Sequence, residues 1–313
     1  MNKDSNLFHA KLSLNAAPPF RLDFTAWALR RRQKNLIDRW DGNTYRRIVV
    51  FENDPIQLAV TQFGTTREPK LVIALQSGKE ITAPVRKQVK ALVTRMLGLD
   101  VDLRPFYALA KKNEILKSLA AQFRGVKPPR FPIVFEALVN AIACQQITLD
   151  LGIALLNRLS ERCGSRFVDG EATYYAFPRP VDLVNLSEEE FKKLGYSSQK
   201  ARAIHELSAR VTNNEIELTM LEQMTNGEAL DFLLALRGIG RWSAEYALLR
   251  GLGRLNVFPG DDVGAQNNLQ RLFELNLRPD YEKISKLTSQ WSPYEGLVYF
   301  HLLLDKLKQK GVI

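Results

Sequence analysis

Two short stretches in the last third of the chain hold residue types that can act together on a polyanion and on a charged reaction intermediate. The first, residues 236–244, reads Leu-Arg-Gly-Ile-Gly-Arg-Trp-Ser-Ala and lies between the apolar runs Phe232-Leu233-Leu234 and Ala247-Leu248-Leu249. It spells helix, tight turn, helix. Gly238 and Gly240 let the backbone turn sharply around Ile239 and approach a ligand closely, and the helix opened by Ser243 and its neighbours offers free N–H groups to an anion such as phosphate. A glycine C-cap followed by a new helix accounts for the same spacing. The second stretch, residues 257–264, reads Val-Phe-Pro-Gly-Asp-Asp-Val-Gly and places Asp262 22 residues after Gly240. A fixed carboxylate there can stabilise a developing positive charge and can orient or deprotonate an attacking water. The bland alternative for Asp261-Asp262 is a capped helix start, with Asp261 as the cap.

Trp242 and Tyr246 are four residues apart and so share a helix face. An indole there suits stacking on a planar ring, above all a cationic one; two core aromatics would show the same spacing. Other chemistries find little footing. His9, His205 and His301 are not spaced as metal ligands, Cys144 and Cys163 are too few for a disulfide framework or a cysteine-ligated metal, and no phosphate loop or nucleophile elbow occurs.

The elements that must position these residues fall into two blocks. Residues 45–75 alternate β-rich runs with turns: Ile48 to Phe51, then Asn53-Asp54-Pro55, then Ile56 to Phe63, then Gly64-Thr65-Thr66, then Leu71 to Leu75. Pro84 opens a helix with Val85, Val89, Leu92, Val93 and Met96 on one face. Beyond Pro105 the β signal fades into helices punctuated by Gly and Pro. The expected fold class is therefore an α+β N-terminal domain, a small antiparallel sheet with helices, over residues 1–104, followed by an all-α domain over residues 105–313. The basic cluster Arg30-Arg31-Arg32 with Lys34 reads as a solvated helix face.

With 313 residues, 45% hydrophobic and 25% charged, the chain has the composition of a folded globular protein, and its net charge of +10 suits a polyanionic partner. Residues 1–15, with Lys3, Asp4 and Lys11, lack the pattern of a secretory signal, and no run of about 18 apolar residues exists to cross a bilayer. A cytoplasmic, reducing location is expected.

The string at residues 236–244 resembles the hairpin of the helix-hairpin-helix DNA glycosylase superfamily, and Asp262-Val263-Gly264 resembles the Asp-x-Gly of that family's catalytic loop. The resemblance implies that Gly238, Ile239, Gly240 and Ser243 grip a DNA phosphate beside a lesion and that Asp262 is catalytic. Trp242 stands where bifunctional members carry a nucleophilic lysine, and a tryptophan cannot form an imine, which implies hydrolysis without AP-lyase activity. Trp242 and Tyr246 resemble the base-pocket aromatics of the branch typified by DNA-3-methyladenine glycosylase II, whose N-terminal α+β domain this chain also shares as an expectation. The helix from Phe135 and the loop Cys144-Gln145-Gln146-Ile147-Thr148 resemble the part that supplies a wedge to the base stack, with Gln146 in the wedge position, although that branch uses an apolar side chain there. Leu194-Gly195-Tyr196 with Lys200 resembles the family's second glycine turn, Trp291-Ser292-Pro293-Tyr294 resembles its late helix start, and the four-cysteine cluster of other branches is missing.

The implied function is hydrolysis of the N-glycosidic bond of a flipped-out, alkylated base in base excision repair. The partner is duplex DNA containing damaged bases, with no membrane, and the chain acts as a monomer. No cofactor or catalytic metal is implied, although the hairpin's backbone carbonyls can hold a monovalent cation. The alternatives are a glycosylase of the same fold preferring hypoxanthine, uracil or an oxidised purine, and a non-catalytic DNA-binding protein. Asp262 speaks against the last, because a carboxylate facing an anionic backbone costs affinity.

Overall fold

The computed structural model describes residues 7–313, so Lys3 and Asp4 lie outside the described residues. The chain begins with strand β1 (Phe8–Asn15) and helix α1 (Leu22–Arg30), followed by β2 (Arg39–Trp40), β3 (Thr44–Phe51), β4 (Asp54–Gly64), β5 (Pro69–Ser77) and α2 (Ala83–Leu97). The strands form one antiparallel sheet in the order β1-β5-β4-β3-β2. Glu52 and Asn53, both at positive φ, make the two-residue turn between β3 and β4, so the ladder already includes Pro55, paired with Val50 at the strand's beginning. Thr82 caps α2 through the N–H of Val85, and Val85, Val89, Val93 and Met96 bury one face of that helix against Leu58, Val60, Leu71 and Ile73 of the sheet.

The rest is mostly helical: α3 (Arg104–Ala110), α4 (Glu114–Gln122), α5 (Val134–Cys144) and α6 (Leu149–Cys163), a hairpin of β6 (Arg166–Asp169) and β7 (Ala172–Tyr175), then α7 (Pro180–Leu183), α8 (Glu188–Lys193), α9 (Ser198–Thr212), α10 (Asn226–Leu234), α11 (Arg241–Ala247), α12 (Val263–Leu272), α13 (Tyr281–Thr288) and α14 (Glu295–Gln309). The hairpin departs from the all-α expectation. It turns at Gly170-Glu171, with Gly170 at φ 59, and packs Phe167 on Ile48 of β3. Among the described residues no helix is long and apolar enough to cross a membrane, and no group of His, Cys, Asp and Glu could hold a metal ion.

The division near residue 104 separates sheet from helices along the chain but not in space. Trp27 and Ala28 of α1 share a core with Phe106, Leu119, Trp291 and Phe300, and Ile37 belongs to the core built around α5 and α11. Charge ties the blocks together as well. Arg47 of β3, 1% exposed, donates through Nη1 to Asp38 at 2.8 Å and through Nη2 to both oxygens of Glu136 of α5 at 2.5 and 2.6 Å, while Tyr45 donates to Asp38 at 2.6 Å. Arg30 and Arg31 do not form a solvated face: each is only 5% exposed, Arg30 folded over Trp27 and onto the carbonyls of Arg32 and Trp40, Arg31 reaching Tyr246 and Asn140 of the helical block. A charge run read from sequence carries no information on which side of a helix a partner will cover.

A buried cation shared by two buried carboxylates is expensive to break from one side. Arg47→Met leaves Asp38 and Glu136 without their counter-ion and is expected to cost about 3–5 kcal/mol of stability, read from the shift of the urea unfolding transition. A shift equivalent to less than about 1 kcal/mol, the value of an exposed pair, would show that the cluster is not the link between the blocks.

Candidate active site

Helix α10 is started by a capping box between Thr225 and Glu228 and is followed by the turn that the two glycines shape. Leu236 and Ile239 point into the core, and the Ile239 N–H is spent on the Leu236 carbonyl at 3.2 Å. Gly238 sits at φ 74, and a Cβ there would lie 2.7 Å from the Cβ of Ala203. Gly240 is different: it is extended, it precedes the first turn of α11, and a Cβ on it would meet nothing within 4 Å. Close packing inside the protein thus explains the first glycine and not the second. Ser243 is 1% exposed and its hydroxyl accepts from Gln145 Nε2 at 2.8 Å, so its side chain is not free to meet a phosphate; only its place in the helix's first turn remains. Ile239 likewise offers backbone rather than side chain.

Gln145 also donates to the Gly238 carbonyl at 2.7 Å, which fastens the loop after α5 to the hairpin. Lys200 of α9 props the same loop by donating to the carbonyls of Ala143 and Gln145, each at 2.9 Å. The neighbouring Gln146 is exposed and held at φ 55, a left-handed conformation that a non-glycine residue adopts only when its surroundings enforce it. Sequence alone singled out Gln146, gave Gln145 no part beyond membership of the same loop and placed Lys200 only with the second glycine turn; what the two hold becomes visible only once three elements meet.

Asp262 is the N-cap of α12: Oδ1 accepts from the Ala265 N–H at 2.8 Å. The cap is therefore Asp262 and not Asp261, which instead pairs with Arg241 at 2.8 Å. The other oxygen of Asp262, Oδ2, accepts from the Tyr299 hydroxyl of α14 at 3.0 Å and from Trp242 Nε1 of α11 at 3.3 Å. Burial, then the Asp262 charge, holds the Tyr299 phenol well above its ordinary pKa, so it stays a donor. Behind the loop, Glu245 accepts from the Gly260 N–H at 3.2 Å and from the Tyr281 hydroxyl at 2.6 Å, and Arg241 lies 3.7 Å above the Tyr281 ring. Burial raises the Glu245 carboxyl and, together with the Glu245 hydrogen bond, pushes Tyr281 up to about 12. Tyr299, Glu245 and Tyr281 belong to no motif near the loop in sequence.

Trp242 is half-buried, with its ring 5.4 Å from that of Tyr246 and tilted by 35°. The two residues expected to line a base pocket do lie together, but not in the same layer. Tyr246 is 2% exposed, and its hydroxyl accepts from Arg31 at 2.8 Å beside Asn140; it backs Trp242 rather than presenting an open face. Chemically, the site combines a carboxylate fixed by three donors, a half-open indole touching it, and an exposed hairpin glycine with free space above it.

The HhH-GPD superfamily, described as base excision DNA repair proteins, matches residues 139–293. The chain is 27% identical over 245 residues to the DNA-3-methyladenine glycosylase of Bacillus subtilis, covering 78% of this chain and 81% of that protein. It is 24% identical over 291 residues to DNA-3-methyladenine glycosylase 2 of Escherichia coli, covering 93% and 95%. Among solved structures, the 3-methyladenine DNA-glycosylase of Archaeoglobus fulgidus superposes with a TM-score of 0.82 over 96% of this chain and all of that one, at 22% identity, a likeness of fold.

The contrast between the two hairpin glycines is open to test by denaturation. Gly238→Ala is expected to cost about 2 kcal/mol or more, from the left-handed backbone and the contact with Ala203. Gly240→Ala is expected to cost less than about 1 kcal/mol, the scale of a poorer helix cap. Equal losses would mean that Gly240 is also demanded by internal packing.

Proposed function

This chain belongs to the HhH-GPD superfamily of base excision DNA repair proteins, and on that premise we propose that it is a monofunctional DNA glycosylase that hydrolyses the bond between deoxyribose and an alkylated base. The observation that carries the reading is the Asp262 carboxylate, oriented by Ala265, Trp242 and Tyr299 next to a half-open indole. A flipped base stacks on Trp242, which places C1′ of its sugar toward Asp262. As the glycosidic bond stretches, positive charge grows on the sugar, and a carboxylate that cannot rotate away stabilises it at no cost of reorganisation. The same group orients the water that adds to C1′.

Two features support hydrolysis without strand cleavage. The position next to Ser243 in the hairpin motif is Trp242, which has no amine, and the nearby Arg237 and Arg241 carry guanidinium groups that are not nucleophiles at neutral pH. Both arginines are also engaged, Arg237 with Glu206 and Arg241 with Asp261. The hairpin grips the phosphate beside the lesion through its backbone at Gly240, and Gln146 fills the gap left by the flipped base from a loop that Gln145 and Lys200 hold still. The protein works as a monomer on duplex DNA in the cytoplasm and needs no cofactor. The hairpin's backbone carbonyls can hold a monovalent cation, since those of Leu236 and Gly238 each keep a second lone pair beside the bond accepted from Ile239 or Gln145, and no step of the hydrolysis runs through one.

Asp262→Asn is expected to slow single-turnover base release by at least about a hundredfold while affinity for lesion DNA stays the same or rises, because charge stabilising the transition state is lost and contacts are kept. Excision close to the wild-type rate would remove Asp262 from the mechanism. Borohydride added to the wild-type reaction is expected to trap no protein on DNA and to leave the abasic strand whole. A trapped adduct at the rate of base release would establish an amine nucleophile and overturn the monofunctional reading.

A further inference from the structure

Arg31 caps the end of α1 with φ 61, and its guanidinium is buried between α5 and α11. Nη1 donates to the Tyr246 hydroxyl at 2.8 Å, Nη2 donates to Asn140 Oδ1 at 2.5 Å, and Nε has no partner. A second guanidinium, that of Arg250, is fully buried with its carbon 5.5 Å from the centre of the Tyr246 ring. It donates to the carbonyls of Ala28 and Leu29, while its Nε and Nη1 have no partner. Neither cation is bonded to a carboxylate among the described residues. Burying a charge without an opposite charge is among the costliest things a fold can do, and this one does it twice around a single tyrosine.

The position of that tyrosine gives the cost a use. From the guanidiniums the order runs to Tyr246, then 5.4 Å between ring centres to Trp242, then 3.3 Å from the indole nitrogen to the Asp262 carboxylate. The Arg31 guanidinium and the Asp262 carboxylate thus stand at the two ends of a chain of contacts that runs through Tyr246 and Trp242. Breaking the bond between C1′ and a neutral base separates charge in the matching sense. The bonding electron pair leaves with the base, which becomes anionic, and the sugar becomes cationic on the Asp262 side. Water then adds to C1′ and its proton ends on the departed base, so that nucleotide and water give free base and a hydroxylated sugar. A base that is already cationic leaves neutral, and no negative charge develops for the guanidiniums to stabilise.

We infer that Arg31 is a specificity-determining residue that favours release of bases neutral before cleavage over bases carrying a permanent positive charge. The inference rests on the glycosylase reading of Asp262 and names a property of the same pocket. Trp242 stacks either kind of base; Arg31 acts only as charge moves during bond breaking, through the low-dielectric layer of Tyr246.

The test compares single-turnover release of hypoxanthine, neutral, and 7-methylguanine, cationic, from otherwise identical duplexes by the wild type and by Arg31→Met. The ratio of the two rates within one protein is independent of the fraction folded, so loss of stability alone cannot move it. The wild type is expected to release both bases, and Arg31→Met to lower hypoxanthine release relative to 7-methylguanine by about tenfold or more. Arg31→Gln, which keeps hydrogen-bonding capacity toward Asn140 and drops the charge, is expected to lower the ratio in the same direction. An unchanged ratio in both variants, or a wild type inert toward hypoxanthine alone, would overturn the inference and leave the glycosylase reading standing. A wild type inert toward both bases would overturn the two together.

Discussion

A carboxylate that stabilises a fleeting positive charge works only if it cannot follow the charge of its own surroundings instead, and holding Asp262 still is the constraint from which most of the site's architecture follows. Three donors do it, one from each of three elements: the Ala265 N–H of α12, the Trp242 indole of α11 and the Tyr299 phenol of α14. Each element must in turn be fixed against the others. Glu245, on the same helix as Trp242, takes the Gly260 N–H of the loop, Arg241 takes Asp261, and Asn268 of α12 donates to the Leu302 carbonyl of α14. The loop is thereby strapped on both sides of Asp262, and one of its oxygens spends its bond on capping a helix while the other stays beside the indole.

The N-terminal block is part of that same frame. It contributes Trp27 and Ala28 to the core beneath α14, Arg47 to the buried pair with Glu136 on α5, and Arg31 to the layer behind Trp242. Helix α5 is the common support: it carries Glu136 for the sheet, Asn140 for Arg31, and at its end the loop whose Gln145 holds the hairpin. A displacement of the sheet against α5 would reach both the aromatic layer and the hairpin through a single rigid helix.

The parts of this arrangement that were legible in sequence are those governed by local spacing. Alternation disclosed β3, β4 and β5, the glycine pair disclosed the hairpin, and the Asp-x-Gly at Asp262 marked the loop that leads into α12. Strand β1 went unread although Phe8, Ala10, Leu12 and Leu14 alternate with polar residues along it; it is an edge strand with only Leu12 buried. The β6–β7 hairpin escaped although the glycine of its Gly170-Glu171 turn was a fair signal, since helices surround it along the chain. The cap falls on Asp262 rather than Asp261 because either can cap a helix in principle, and only the position of Arg241 in space decides between them. Tyr299, Glu245, Gln145 and the buried Arg31 could not be read at all: each acts on a residue 15 to 215 positions away, and no local pattern encodes such a meeting.

The central claim is that the fixed charge of Asp262 recognises a positively charged sugar. Its most direct measurement is equilibrium binding of the wild type and of Asp262→Asn to two duplexes that differ at one position, one with a neutral tetrahydrofuran abasic site and one with a protonated pyrrolidine in its place. The wild type is expected to bind the cationic duplex more tightly than the neutral one, and Asp262→Asn to lose that preference while keeping its affinity for the neutral duplex. An equal preference for the cationic sugar in both proteins would contradict the claim and assign the discrimination to some other group.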